Sequence, residues 1–153
     1  MDKKRVLVLC TGNSARSQMA EGFLRHIAPD KFEVFSAGVK PRQVNPLAIK
    51  VMAEVGVDIS KHRSKSAMEF IGEKFDYVIT ICDNAKQTCP VFPGKYEKVH
   101  WDLEDPAVVQ GAEEEKLNVF RKTRGKIKEC VLGFLKTITE KDYLASIHLS
   151  THS

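Results

Sequence analysis

The segment Cys10-Thr11-Gly12-Asn13-Ser14-Ala15-Arg16-Ser17 follows directly on the apolar run Val6-Leu7-Val8-Leu9, and Met19, Ala20, Phe23, Leu24 and Ile27 come after it at helical spacing. A strand therefore runs into a helix through one tight turn, and the rest of the fold has to accommodate that unit. Gly12 permits the tight path, and Asn13 tolerates the left-handed conformation that such loops need. Backbone N–H groups in a turn of this kind point inward and bind tetrahedral oxyanions, as helix N-termini do. The expected cradle is Thr11, Gly12, Asn13, Ser14, Ala15, Arg16 and Ser17. The same field favours a thiolate at Cys10, the reactive form of cysteine. Arg16 offers two parallel donors to two oxygens of a bound anion, and Ser17 is placed to donate its hydroxyl to the sulfur. Only Cys10 has this spacing, since the residues six after Cys82, Cys89 and Cys130 are Thr88, Lys95 and Lys136. The competing reading is a buried cysteine beside an ordinary helix cap.

Hydrophobic patterning and turn residues divide the remainder into alternating strands and helices. Strands are expected at about 4–9, 32–36, 76–81 and 96–100, and helices at about 15–28, 46–55 and 113–138. Ser64 or Ser66 caps a short helix through Met68, Phe70 and Ile71. Pro46 suits a first helical turn, and Gly56 ends that helix. The expectation is a single α/β domain over residues 1–138, with a four-stranded parallel sheet flanked by helices on both faces in three layers. Residues 139–153 are polar and read as a frayed tail, with Tyr143, Leu144 and Ile147 as docking candidates. At 153 residues the chain buries an adequate core without staples. A net charge of +4 without a basic stripe suits an anionic substrate and gives no ground for nucleic acid. No apolar run reaches signal-peptide or membrane-spanning length, so a cytoplasmic, monomeric protein with reduced cysteines is expected.

In open parallel sheets, ligands sit beyond the carboxyl ends of the strands. Cys10 and Cys82 each lie just past a strand end. If those strands are neighbours, a spacing of about 4.8 Å brings the two residues near disulfide range. Cys82 and Cys89 enclose a polar segment, 83–88, that suits either a helical turn or an open loop. Three readings stay open for this pair: a disulfide that needs the loop to remodel, inert thiols, or a structural zinc site. The last is disfavoured by the absence of any C-x-x-C or paired-histidine spacing. Cys130 borders the apolar stripe of the last helix and reads as core filler. Expelling an oxygen from a bound oxyanion needs a proton donor. Asp105, before Pro106, is the candidate, with Glu104 and Asp102 as competitors and a simple turn former as the alternative. No role is assigned to His62, and His100 closes a strand.

Taken together, residues 10–21, Ser36-Ala37-Gly38, Val44-Asn45-Pro46, Asp58-Ile59-Ser60, His62, Cys82, Cys89-Pro90 and 101–106 resemble the thioredoxin-coupled arsenate reductases, which share the low-molecular-weight phosphatase fold. The resemblance spans about residues 4–135. It implies catalytic roles for Cys10, Arg16, Asp105, Cys82 and Cys89. Cys10 attacks arsenate, Asp105 protonates the departing oxygen, Cys82 releases arsenite, and Cys89 completes a Cys82–Cys89 disulfide that thioredoxin reduces. It implies no metal and no organic cofactor, the electrons coming from thioredoxin. Some relatives bind potassium through positions matching Asn13, Glu21, Ser36 and an acidic group. Lys65 stands in that last place here, and potassium independence is expected. The runner-up is a phosphotyrosine phosphatase. Ala107 lacks the aromatic grip expected of one, and that reading leaves Cys82 and Cys89 without a purpose.

Overall fold

The computed structural model describes residues 3–83 and 89–151. The strands are β1 (Lys4–Cys10), β2 (Phe32–Gly38), β3 (Tyr77–Cys82) and β4 (Glu97–Asp102). The helices are α1 (Arg16–Ile27), α2 (Pro46–Glu54) and α3 (Glu113–Thr151), with short 3-10 helices at Ala67–Phe70 and Pro106–Val108. The sheet is parallel throughout, in the order β2-β1-β3-β4. The chain turns one way from β1 and returns the other way to β3, so the strand order reverses between them. That is the place where such sheets bind ligands.

Alternation along β1 explains the layering. Val6 and Val8 face a core built from all three α-helices, including Met19, Phe23, Met52, Phe120 and Ile127. Leu7 and Leu9 face the other way, into a cluster with Val78, Phe70, Phe75 and Phe92. Among the described residues no α-helix contributes to that cluster, which the first 3-10 helix and aromatic loops close. Phe75 is its centre, stacked edge-on with Phe35, Phe70 and Phe92 at 5.7–6.1 Å, and Arg5 lies 4.8 Å above its ring.

Two boundaries differ from the sequence reading. Trp101 and Asp102, read as loop, extend β4 by pairing with Ile81 and Cys82. The last helix does not stop near 138: it continues to Thr151, so residues 139–151 are helical rather than a frayed tail. The stretch holds no Pro or Gly, and Glu140, Lys141, Leu144 and Ala145 are good helix formers. Tyr143, Leu144 and Ile147 remain 66%, 63% and 42% exposed. The polar segment between Cys82 and Cys89 lies, at 84–88, outside the described residues.

Candidate active site

The turn between β1 and α1 is held by saturated hydrogen bonding. Asn13 is the only described non-glycine residue with positive φ, at 47°. Its amide nitrogen donates to Ser17 Oγ at 2.8 Å and Ser36 Oγ at 2.9 Å. Its carbonyl oxygen accepts from Lys65 N at 2.8 Å and Gln18 Nε2 at 3.0 Å. All four positions of the side-chain amide are thus used, which fixes the left-handed residue. Backbone bonds from Lys40 to Thr11 O, from Arg42 to Gly12 O and from Asn45 to Ser14 O pin the outer side of the loop at 2.8–2.9 Å. Gly38 closes against it, and a Cβ there would sit 2.6 Å from Thr11 O.

Donors converge on the sulfur at the base of this loop. Asn13 N donates to Cys10 Sγ at 3.2 Å, and Ser17 Oγ lies 2.8 Å away. Ser17 Oγ accepts from Asn13 Nδ2 and lies where its hydroxyl hydrogen can turn to the sulfur. Cys10 is a free thiol and 2% exposed.

Arg16 and Asp105 meet across the mouth. Arg16 is 3% exposed and donates from Nη1 to Leu103 O at 2.9 Å, while its Nη2 lies 3.8 Å from Asp105 Oδ2. The other Asp105 oxygen accepts from Ala107 N at 2.9 Å, capping the second 3-10 helix. Asp105 is thus a turn former through one carboxylate oxygen, while the other faces Arg16 at the mouth of the loop. Glu104 and Asp102, the competing carboxylates, are exposed. Arg42, not singled out by any sequence signal, lies 3.9 Å from the same Asp105 oxygen. It arrives from the loop after β2, a contact with no local signature.

Behind the loop, Glu21 sits among two cations, a histidine and a hydroxyl. Arg25 Nε is 3.1 Å, Lys65 Nζ 3.8 Å and His62 Nε2 3.5 Å from its carboxylate, and Ser36 donates to Oε1 at 2.6 Å. Burial pushes the Lys65 ammonium below its ordinary value, against the pull of Glu21. The residues implied for potassium therefore fit that ion poorly, because an ammonium already stands at Glu21. His62 Nδ1 meets Gln18 Oε1 at 3.0 Å, which gives this histidine a place in the loop's support that the sequence did not.

The other cysteines are placed by topology. β1 and β3 are hydrogen-bonded neighbours, and Cys10 and Cys82 are their last residues. The condition set on the sequence for bringing the two thiols together is met at the level of the strands. Cys82 itself is bonded to Cys89, with Cα atoms 5.6 Å apart. Cys130 packs half-buried against the helix-side core, as expected of filler, and burial raises its thiol above the usual range.

Comparison with known proteins agrees with this geometry. The low molecular weight phosphotyrosine protein phosphatase family matches residues 5–144. An arsenate reductase of Halalkalibacterium halodurans is 44% identical over 137 residues, covering 90% of this chain and 99% of that protein. A solved structure of an arsenate reductase in the oxidized state superposes with a TM-score of 0.74 at 36% identity, over 88% of this chain and 98% of the other. A Corynebacterium glutamicum thioredoxin-dependent arsenate reductase gives a TM-score of 0.62 at 31% identity, over 88% of this chain and 63% of its own. The relatives that match at 42–46% identity over nearly their whole length are named arsenate reductases. The chain is an enzyme of the low molecular weight phosphotyrosine protein phosphatase family and belongs with its arsenate reductases.

Proposed function

We propose that the protein reduces arsenate to arsenite through a relay of three thiols and is returned to its starting state by thioredoxin. The observation that carries this is the pairing of a free Cys10 in the anion loop with a Cys82–Cys89 disulfide at the adjoining strand end. Arsenate sits in the loop over residues 11–17, with Arg16 countering its charge. The Cys10 thiolate attacks arsenic, and an oxygen leaves with a proton from Asp105. Cys82 then attacks the Cys10 sulfur, and the S–As bonding pair stays on arsenic, which departs as As(III) in arsenite. Cys89 attacks Cys82 in the resulting Cys10–Cys82 disulfide and expels the Cys10 thiolate. The two electrons that reduced arsenic are now missing from the Cys82–Cys89 pair. A dithiol such as reduced thioredoxin supplies them by exchange, with no metal or organic cofactor. A reducing compartment, the cytoplasm, suits this cycle. Among the described residues no helix is long and apolar enough to cross a membrane.

The test is arsenate-dependent oxidation of reduced thioredoxin by the wild type, Cys82→Ser and Cys89→Ser. Both variants are expected to lose multiple turnover. Wild-type rates in Cys89→Ser would sink the relay. Fast cleavage of an aryl phosphate, with no effect of either variant, would instead favour the phosphatase reading.

A further inference from the structure

On the sheet face opposite the α-helices, three donor atoms of metal-binding type meet. Cys82 Sγ, Cys89 Sγ and a ring nitrogen of His100 all lie within 4.8 Å of one another. We infer that, once the disulfide is reduced, Cys82, Cys89 and His100 form a site for a thiophilic divalent ion of the zinc type, with its fourth position open to solvent.

The pairing of β3 with β4 sets Thr80 opposite His100, and Cys82 follows two residues later on the same face. The contact between His100 and Cys82 therefore comes from the sheet and not from the loop beyond it. The imidazole is also oriented. Thr80 Oγ1 lies 3.0 Å from His100 Nδ1 and 3.5 Å from Val99 O. With the hydroxyl hydrogen directed to Val99 O, the oxygen accepts from Nδ1–H. Nε2 then carries the lone pair, 3.9 Å from Cys82 Sγ. Hydrogen bonding at the far nitrogen is how metal-binding histidines are usually aligned.

The distances suit a tetrahedral ion. Zn–S bonds of about 2.3 Å and Zn–N bonds of about 2.0–2.1 Å give ligand edges of roughly 3.5–3.8 Å. The Cys82–His100 edge is already near that length. A Cα separation of 5.6 Å lets the two sulfurs part to the same edge with little backbone change. His100 is exposed and Cys89 half-buried, which leaves the open position accessible.

Reduction adds two electrons and two protons to the disulfide. The ion then displaces both protons, and no further electron moves. Metal and disulfide therefore exclude one another. The site requires only that the two thiols be reduced, and it does not depend on their turning over in the relay.

The test uses the full chain carrying Cys10→Ser and Cys130→Ser, so that Cys82 and Cys89 are its only thiols. The reduced protein is titrated with Co2+ and then with Zn2+ against a chromophoric chelator. Expected are one equivalent of Co2+ with thiolate charge-transfer absorption and the intense visible bands of a tetrahedral ion, displaced by Zn2+. Thr80→Val should weaken binding by about 10- to 100-fold, and His100→Ala by at least as much. The disulfide form should bind nothing. An absent thiolate band, or undiminished affinity in His100→Ala, would overturn the site. Neither result bears on the relay, since this variant lacks Cys10. His100 stands exposed on the edge strand, so its replacement leaves the core intact.

Discussion

Gly38 shows how closely the anion loop is fitted to its neighbours. Its φ is unexceptional, yet a Cβ there would come within 2.6–2.9 Å of backbone atoms of Thr11, Gly12 and Asn13. Backbone cannot rotate away as a side chain does, so the loop itself has to move. Gly38→Ala is expected to cost about 1–3 kcal/mol and to weaken inorganic phosphate binding more than it lowers the melting temperature. Isothermal titration beside thermal unfolding separates the two effects, and unchanged phosphate affinity would contradict the argument. His62 acts through charge. Burial holds its imidazole below the ordinary histidine value of 6.5, with Arg25 and Lys65 adding to the effect and Glu21 opposing it. The unfolded chain then takes up this proton at higher pH than the native one. The stability involved is complete above 6.5 and is lost as pH falls from there toward the native value. His62→Gln should flatten the fall in melting temperature between about pH 7 and pH 5. Equal slopes in the variant and the wild type would remove His62 as the cause. The cradle and Cys10 were legible because strand, turn and helix signals lie within one short stretch. Arg42 and the role of His62 were not, because their contacts with that stretch come from loops some 30–45 residues away in sequence.

At the scale of the elements, α3 does two different things along its length. Up to Ile138 it supplies core: Phe134 is 7% exposed, with its ring 5.8 Å from Phe32 and 5.2 Å from Tyr77. Beyond it, residues 139–147 are all exposed, and a surface ion pair joins Lys141 to Glu97 of the sheet. Phe134→Ala should therefore cost about 3–5 kcal/mol, whereas ending the chain after Ile138 should cost no more than about 1 kcal/mol. Urea unfolding measures both, and a truncation as damaging as Phe134→Ala would mean that the last turns carry packing. The sequence marked the end of the apolar stripe correctly. It failed on the end of the helix because helix propensity continues where burial stops, and only burial leaves a periodic trace. A similar limit hid the third member of the cysteine cluster. Local spacing around Cys82 and Cys89 argues against a metal site, while His100 reaches them through strand pairing that no spacing rule records.

Across the whole molecule, one polar network ties the loop, α1, β2 and the 60–66 segment into a single support. It runs from Asn13 through Ser36 to Glu21, and from Glu21 through His62 to Gln18 and back to Asn13. Lys65 enters twice, through its backbone N–H to Asn13 and its ammonium beside Glu21. Burying a carboxylate without nearby counter-charge is costly, and the counter-charges here, Lys65 and Arg25, both belong to the chain itself. The rigidity of the anion loop should thus not depend on which monovalent cation is in solution. Turnover and melting temperature are expected to be equal in potassium and sodium chloride at matched ionic strength. Lys65→Asp should change this. It removes a cation from Glu21 and adds a carboxylate in the same place, so the variant should lose stability in sodium and regain part of it, with activity, in potassium. Strong potassium stimulation of the wild type would show that the ammonium does not fill the role of the ion. A Lys65→Asp variant indifferent to both salts would show that the charge at Glu21 does not govern the loop.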